Sequence, residues 1–379
     1  MKNIFKSLLI ICLGFPFAAS GQQTAKRFIT ITNVSDIPRK DAVVAIAWSD
    51  ILKKYPLIDT SAFKVVLSGS KKEIPFQLEY RGEADVQNLL LQLSVGAKSS
   101  VKLEITNGKA AAFASKTYAR YVPERKDDFT WENDKIAFRM YGKALEGSKE
   151  NAYGVDVWVK RTDKLIINER YKRGEYHIDH GDGMDYYHVG LSLGAGNMAP
   201  YVNDTIRYSK NYTSWKVLDN GPLRSTFQLG YDTWDVAGMA MKATKTISLD
   251  AGSRLSRLEV TYSYTGTATM PVTVGITKRK EPGNILLDEQ AGITAYWEPQ
   301  HGSDGITGVG SILPGPMTKA KVTDEQLLAI TLVKSNEPIV YYTGAAWSKA
   351  GEITDAVSWF NYLHSFKRAL QNPLKIEIQ

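Results

Sequence analysis

The densest concentration of chemically versatile side chains runs from Tyr176 to His188. This stretch, Tyr176-His177-Ile178-Asp179-His180-Gly181-Asp182-Gly183-Met184-Asp185-Tyr186-Tyr187-His188, holds three of the five histidines of the chain, with three aspartates and three tyrosines. Its two glycines mark a turn or loop, and loops carried on a rigid sheet are where binding groups usually sit. Histidine exchanges protons near neutral pH, and tyrosine acts as acid or base when a neighbouring cation tunes it. Such a set suits proton abstraction beside a carboxylate, as in β-elimination from a uronide, or acid–base opening of a sugar ring. The expected catalytic residues are His180, His188, Tyr186, Tyr187 and Asp185, with His177 and Asp182 as binding groups. The competing reading is an ordinary polar loop. His177 with His180, or His180 with Asp182 and His188, supply donor types for a divalent metal, but their spacing matches no metal motif. No metal and no other cofactor is expected.

A second segment is Pro123-Glu124-Arg125-Lys126-Asp127-Asp128-Phe129-Thr130-Trp131-Glu132-Asn133-Asp134. Arginine offers a planar fork for a carboxylate, and tryptophan a flat apolar face for a sugar ring. With Arg139 and Tyr141 on the polar face of the following strand, Arg125, Lys126, Trp131 and Glu132 make a candidate wall for an acidic sugar. The bland alternative is a solvated charged connector. Glu298 and His301, in Trp297-Glu298-Pro299-Gln300-His301-Gly302, offer a further acid–base pair at a strand end, or a plain surface hairpin. Gly190-Leu191-Ser192-Leu193-Gly194-Ala195-Gly196-Asn197 lacks the strand-to-helix setting of a nucleotide loop and reads as close backbone packing. Trp347-Ser348-Lys349 is a possible cleft lining, and His364 reads as structural.

The elements that must position these groups are mostly strands. Between Arg27 and Lys109, short apolar runs at Phe28–Thr32, Ala42–Ile46, Phe63–Leu67, Leu89–Leu93 and Val101–Ile105 alternate with turn residues, the pattern of a small β-sandwich. Ser49–Lys54 reads as one helical turn capped by Ser49. Residues 107–115, small and weakly polar, read as a linker. Beyond it, Ile136, Phe138 and Met140 alternate with Ala137, Arg139 and Tyr141, and Leu258, Val260, Tyr262 and Tyr264 alternate with polar neighbours. Further runs at Val155–Val159, Val272–Ile276, Leu328–Val333 and Ile339–Thr343 complete a large antiparallel sandwich. One helix carries Trp359, Tyr362, Leu363, Phe366 and Leu370 on one face and stops at Asn372-Pro373. A last strand spans Leu374–Ile378.

Composition narrows the setting. Met1 to Gly21 has a basic start, a short apolar centre and small residues before a polar segment, the pattern of a secretory leader. The only cysteine, Cys12, lies inside it and is not preceded by a small residue, so no lipoprotein anchor is expected. The chain without its leader has no cysteine, which excludes disulfides, thiolate metal sites and cysteine nucleophiles. The formal charge of +7 includes Lys2 and Lys6 of the leader. A modest excess of cations suits an anionic ligand such as a uronic-acid polymer. Nucleic acid is excluded as a partner, because no long basic run occurs and export removes the chain from it. The expected organisation is a signal peptide over 1–21, a β-sandwich over 22–112 and a larger domain with the site over 113–379. The product is expected in the periplasm or outside the cell, with oligosaccharide as its partner and no membrane anchor; oligomeric state is left open.

The strings Tyr121–Phe129, Trp131–Asp134, Ala137–Gly142 and His180–Tyr187 resemble a secreted Bacteroidetes family, domain of unknown function 4861. The resemblance implies a setting among polysaccharide-degradation genes, often for pectin-like uronides, and carries over no catalytic residues. More distantly, Thr246–Leu255 with the strand from Leu258 to Tyr264 is similar to a hairpin of the galactose-mutarotase-like supersandwich of epimerases, polysaccharide lyases and glycoside hydrolase domains. It implies a mostly β fold, a small N-terminal β-sandwich followed by a large antiparallel supersandwich, without fixing the activity. The leading expectation is an enzyme that cleaves acidic oligosaccharides by β-elimination or hydrolysis. Alternatives are a mutarotase or epimerase, with His180 and Glu298 or Asp185 as acid and base, and a non-catalytic glycan-binding protein.

Overall fold

A computed structural model of the 379-residue chain describes residues 27–379. The leader expected over residues 1–21, with Cys12, lies outside the described residues. The rest is mostly β, as expected, in two sandwiches.

The small sandwich pairs a four-stranded sheet with a three-stranded one. The first runs in the order Lys375–Ile378, Ile29–Asn33, Ser99–Asn107, Phe63–Leu67, and the second Arg39–Ala47, Asn88–Val95, Phe76–Glu79. Ile29, Ile31, Leu89, Leu91 and Leu103 meet between them, fully buried. The boundary expected at residue 112 falls in the irregular stretch before the strand Thr117–Val122, but the last strand crosses back and pairs antiparallel with Ile29–Asn33. The helix at Trp48–Lys54 starts one residue earlier than expected, and Ala47 rather than Ser49 sits at its N-cap without a side-chain bond.

The large sandwich sets an eight-stranded sheet, Ser214–Asn220 at one edge and Asn284–Asp288 at the other, against two five-stranded sheets. One runs in the order Gly183–Asp185, Val155–Lys160, Ala137–Met140, Asp128–Asn133, Thr117–Val122. The other centres on Met270–Thr277, flanked by Ala195–Val202 and Gln326–Val333. Phe129, Val157, Phe227, Ile247, Val272 and Val309 from all three sheets share one core, whose burial is the main source of stability.

The helix Ala356–Gln371 opens on a capping box between Asp355 and Ser358 and buries Trp359 and Leu363 against the outer face of Ile293–Trp297 and Thr307–Ile312. Gly308 permits the close approach, since a Cβ there would lie 2.9 Å from Trp359 and run into the Trp297 ring. Polar bonds fasten the two sandwiches. Gln77 accepts from the amides of Leu223 and Arg224 and donates to the Arg224 carbonyl, and Asp219 accepts from the amides of Tyr80 and Arg81. Among the described residues no helix is long and apolar enough to cross a membrane.

Candidate functional site

Strand Gly183–Asp185 is the edge of its sheet, with Asp185 opposite Trp158. Beyond Asp185 the chain leaves the sheet, and Tyr186 to Gly190 become the shared wall of two open clefts. The first, about 470 Å³, is lined by Arg125, Tyr141, Lys149, His177, Asp185 and His188, among others. The second, about 570 Å³, is lined by His188, Lys278, Arg279, Lys280, Glu298 and His301, among others. Because Tyr186, His188, Val189 and Gly190 line both, the clefts adjoin along this segment as the two halves of a paired groove. The histidine-and-tyrosine turn and Arg125, far apart in sequence, therefore face the same space.

Arg125 closes the short turn Pro123–Arg125, after which Lys126 and Asp127 adopt left-handed backbone. Its Nε donates to the Tyr176 hydroxyl at 3.2 Å and its Nη2 to Glu150 at 3.0 Å, while the buried Nη1 has no partner. Lys126 reaches Glu150 at 3.0 Å from an exposed position and lines neither cleft.

Arg139 corrects an expectation. Alternation puts it opposite Phe138 and Met140, but that face is covered by Trp158, by Tyr176 and by Tyr171 of the helix Ile167–Arg173. Its side chain is 5 % exposed and ringed by three carboxylates, Asp156 at 2.6 Å, Asp185 at 2.9 Å and Asp128 at 3.6 Å. It also donates to the Tyr141 hydroxyl at 3.2 Å, and its guanidinium lies over the Tyr141 ring. Arg139 and Tyr141 do line the first cleft, but the guanidinium stands there as the buried counter-ion of three carboxylates. One cation does not compensate three buried carboxylates, so protons are retained. Burial pushes Asp128 up to about 6 despite Arg139. Burial, followed by the Asp156 carboxylate, pushes Asp185 up to about 8, and Asp156 is itself raised by burial.

Burial and the Asp156 carboxylate thus favour the protonated form of Asp185 on the floor of the first cleft. Its carbonyl accepts from His177 Nδ1 at 2.8 Å, which fixes the tautomer and leaves Nε2 free,. In the second cleft, Arg279 Nε reaches Glu298 at 2.5 Å and Nη1 donates to the His188 carbonyl at 2.7 Å, with the guanidinium plane 4.7 Å over the Tyr187 ring. Burial raises Glu298 in spite of that ion pair. His301 is exposed; its Nδ1 is 2.9 Å from Asp304, and its ring stacks on Tyr186 at 5.3 Å. Tyr186 accepts from Thr307 at 2.7 Å, and burial raises both Tyr186 and Tyr187, so each holds its proton.

Other expected residues lie elsewhere. Trp131 is a core side chain, 1 % exposed, packed on Phe138 and Phe227 with Nε1 on Ser256. Glu132 is equally buried, paired with Lys160 at 2.8 Å and accepting the amides of Ile166 and Ile167. Neither can touch a substrate, because the strand Asp128–Asn133 is covered on both faces. His180 is 3.5 Å from Glu175 and lines neither cleft. Asp182 bonds Arg170 through its carbonyl at 2.9 Å, and Asp179 binds the amides of Gly181 and Gly183, so this half of the loop holds itself together. Among the described residues no cluster of three or more His, Cys, Asp or Glu is arranged to hold a metal ion.

Sequence reasoning missed Arg279, whose only signal was the run Lys278-Arg279-Lys280 at a strand end. It also missed that Gly190 to Gly194 fits Gly-x-Ser-x-Gly. Ser192 is nonetheless no nucleophile, since its hydroxyl donates to the Val189 carbonyl and bonds Thr277, both at 2.6 Å, with no imidazole among its partners,.

Comparison with known proteins adds a family and a fold. Residues 31–376 match the family model described as Domain of unknown function (DUF4861). The chain is 32 % identical over 407 aligned positions to "Uncharacterized protein P7" of Formosa agariphila, with all of both chains covered. Among solved structures it resembles a protein in the glycosyl hydrolase family 38 from Enterococcus faecalis, with a TM-score of 0.54, 10 % identity and 93 % of this chain covered. An alpha-mannosidase from Enterococcus faecalis V583 follows, with a TM-score of 0.51, 11 % identity and 93 % of this chain covered. The chain spans about half the length of those two proteins, 47 % and 46 %. At such identity they share its fold and nothing finer. The match over nearly the whole chain makes this protein a member of the DUF4861 family.

Proposed function

We propose that the protein is an exported enzyme that binds acidic oligosaccharides in the groove and cleaves a glycosidic bond by hydrolysis. The observation that carries this is Asp185, a buried carboxyl that keeps its proton near neutral pH beside open space. Asp185 gives its proton to the glycosidic oxygen as the bond to the anomeric carbon breaks. His301, its Nδ1 held by Asp304, takes a proton from the attacking water through Nε2,. Arg125, its side chain 23 % exposed on the cleft wall, binds the uronate carboxylate with Lys149 nearby,. The kinship of fold with glycosyl hydrolase family 38 proteins supports a carbohydrate ligand. The leader-like first 21 residues support action outside the cytoplasm.

Elimination is the second reading, favoured by Arg125, since a neutralised carboxylate acidifies the adjacent C5 proton. The protonated tyrosines weigh against it as bases. Incubation of the mature chain with uronic-acid oligosaccharides separates the two. Hydrolysis yields new reducing ends without the absorbance of an unsaturated uronide, and Asp185→Asn abolishes them while binding persists. Arg125→Ala raises KM more than it lowers kcat. Unsaturated products would replace hydrolysis with elimination. Binding without any product, unchanged in Asp185→Asn, would leave a glycan-binding protein.

A further inference from the structure

The two halves of the groove differ in charge. In the first cleft Arg125 shares the single Glu150 carboxylate with Lys126, and Lys149 is exposed and makes no ion pair among the described residues. Its acids offer little compensation, because Glu150 is already so shared and Asp185 is bonded to Arg139 at 2.9 Å. The second cleft is balanced, with Lys278, Arg279 and Lys280 facing Glu281, Glu298 and Glu325. Arg279 is engaged by Glu298, the His188 carbonyl and the Tyr187 ring, while Lys278, which donates to the Asp324 carbonyl at 3.2 Å, and the exposed Lys280 make no ion pair among the described residues. Glu281 and Glu325 are exposed and make no ion pair among the described residues. A carboxylate placed here finds no net positive charge, because Glu281 and Glu325 offset Lys278 and Lys280,. Hydroxyls fare better, since they donate to the carboxylates and accept from the ammonium groups. Leu191, 64 % exposed at the rim, adds apolar surface for a ring face.

We propose that the substrate is a mixed chain, in which an acidic sugar in the Arg125 cleft is linked to an uncharged sugar in the Glu298 cleft. The inference rests on the reading of the groove as an acidic-oligosaccharide site. Tyr186 and His188, which line both clefts, then lie at the junction of the two sugars. The Glu281 and Glu325 carboxylates select against a run of consecutive uronates, and so act as specificity-determining groups.

Titration calorimetry on the Asp185→Asn variant reads binding without turnover. Three probes of equal length are compared: an all-uronate oligosaccharide, one alternating uronate with neutral sugar, and one wholly neutral. The alternating chain is expected to bind about five-fold or more tightly than the all-uronate chain, with the neutral chain weakest. Glu281→Gln combined with Glu325→Gln should raise affinity for the all-uronate chain and close most of that gap at low salt. An all-uronate chain that binds as well as the alternating one, or a gap unmoved by the double substitution, overturns the inference while leaving the acidic-oligosaccharide reading intact. If none of the three binds, or the neutral chain binds best, that underlying reading fails and the inference falls with it.

Discussion

Lys245 sits in the middle of the large sandwich on the strand Met239–Asp250, 2 % exposed and without a carboxylate partner. Its Nζ donates to Asn197 Oδ1 at 2.5 Å and to the Met198 carbonyl at 3.2 Å, with the Tyr231 ring centroid 4.6 Å away. Burial pushes its pKa down to about 7. A lysine that titrates near 10.4 when unfolded and about 7 when folded opposes folding by roughly 4–5 kcal/mol wherever both states are protonated,. The unfolded chain binds the extra proton between those values, so stability rises as pH rises through that window and is lost as pH falls toward 7. Lys245→Met removes the charge at similar volume. It strands no acceptor, because Asn197 Oδ1 keeps the Met198 amide at 2.9 Å and the Met198 carbonyl keeps the Tyr262 hydroxyl at 3.1 Å. The variant should match or exceed the parent at pH 7 and gain further below it. Urea unfolding at half-unit steps from pH 6 to 9.5 gives the difference directly, with Asp185 and the tyrosines common to both proteins. The expected difference shrinks by about 1.4 kcal/mol per pH unit between 8 and 9.5. A constant difference across that range, or a variant less stable by more than about 2 kcal/mol at pH 7, would refute the argument.

Three further outcomes are expected. Glu132→Ala leaves Lys160 buried and unpaired and strips the amides of Ile166 and Ile167, so urea unfolding should show a loss of about 3–5 kcal/mol,. Product release from uronic-acid oligosaccharides should fall as pH rises past about 8, where Asp185 loses the proton it must donate; a rate rising steadily through pH 9.5 would contradict its role as acid. Gly308→Ala drives a methyl group against the Trp297 and Trp359 rings and should cost about 1–3 kcal/mol in thermal unfolding, with saccharide binding unchanged,.

Period and composition made the β class legible, and with it the strand Phe63–Leu67 and the face of the helix Ala356–Gln371. The groove was half legible, since Arg125, Arg139, Tyr141, His177, Asp185, Tyr186, Tyr187 and His188 do line one space. The errors share a cause. Alternation shows that Arg139 and Phe138 point opposite ways, but not that a second layer covers the polar side. That layer is the short helix Ile167–Arg173, whose residues carry no strong helical pattern. Trp131 and Glu132 read as exposed because charge surrounds them, yet Glu132 is neutralised by Lys160 across the sheet. His180 and His188 look equivalent in the string, and only the turn closed by Asp179 separates them. Arg279 lies some ninety residues beyond the loop it braces, a pairing no local pattern encodes.

The strand Lys375–Ile378, which closes the small sandwich from the far end of the chain, bears on how the molecule is made. A polypeptide emerging amino end first presents Ile29–Asn33 with one ladder edge vacant until Lys375–Ile378 has been made. In that interval the open edge is a template for pairing with a neighbouring copy. The large sandwich, whose strands all lie between these two segments, needs neither for its own ladders and holds the small sandwich through Gln77 and Asp219. Clipping a handful of carboxyl-terminal residues would therefore leave the groove whole and yield a protein prone to self-association.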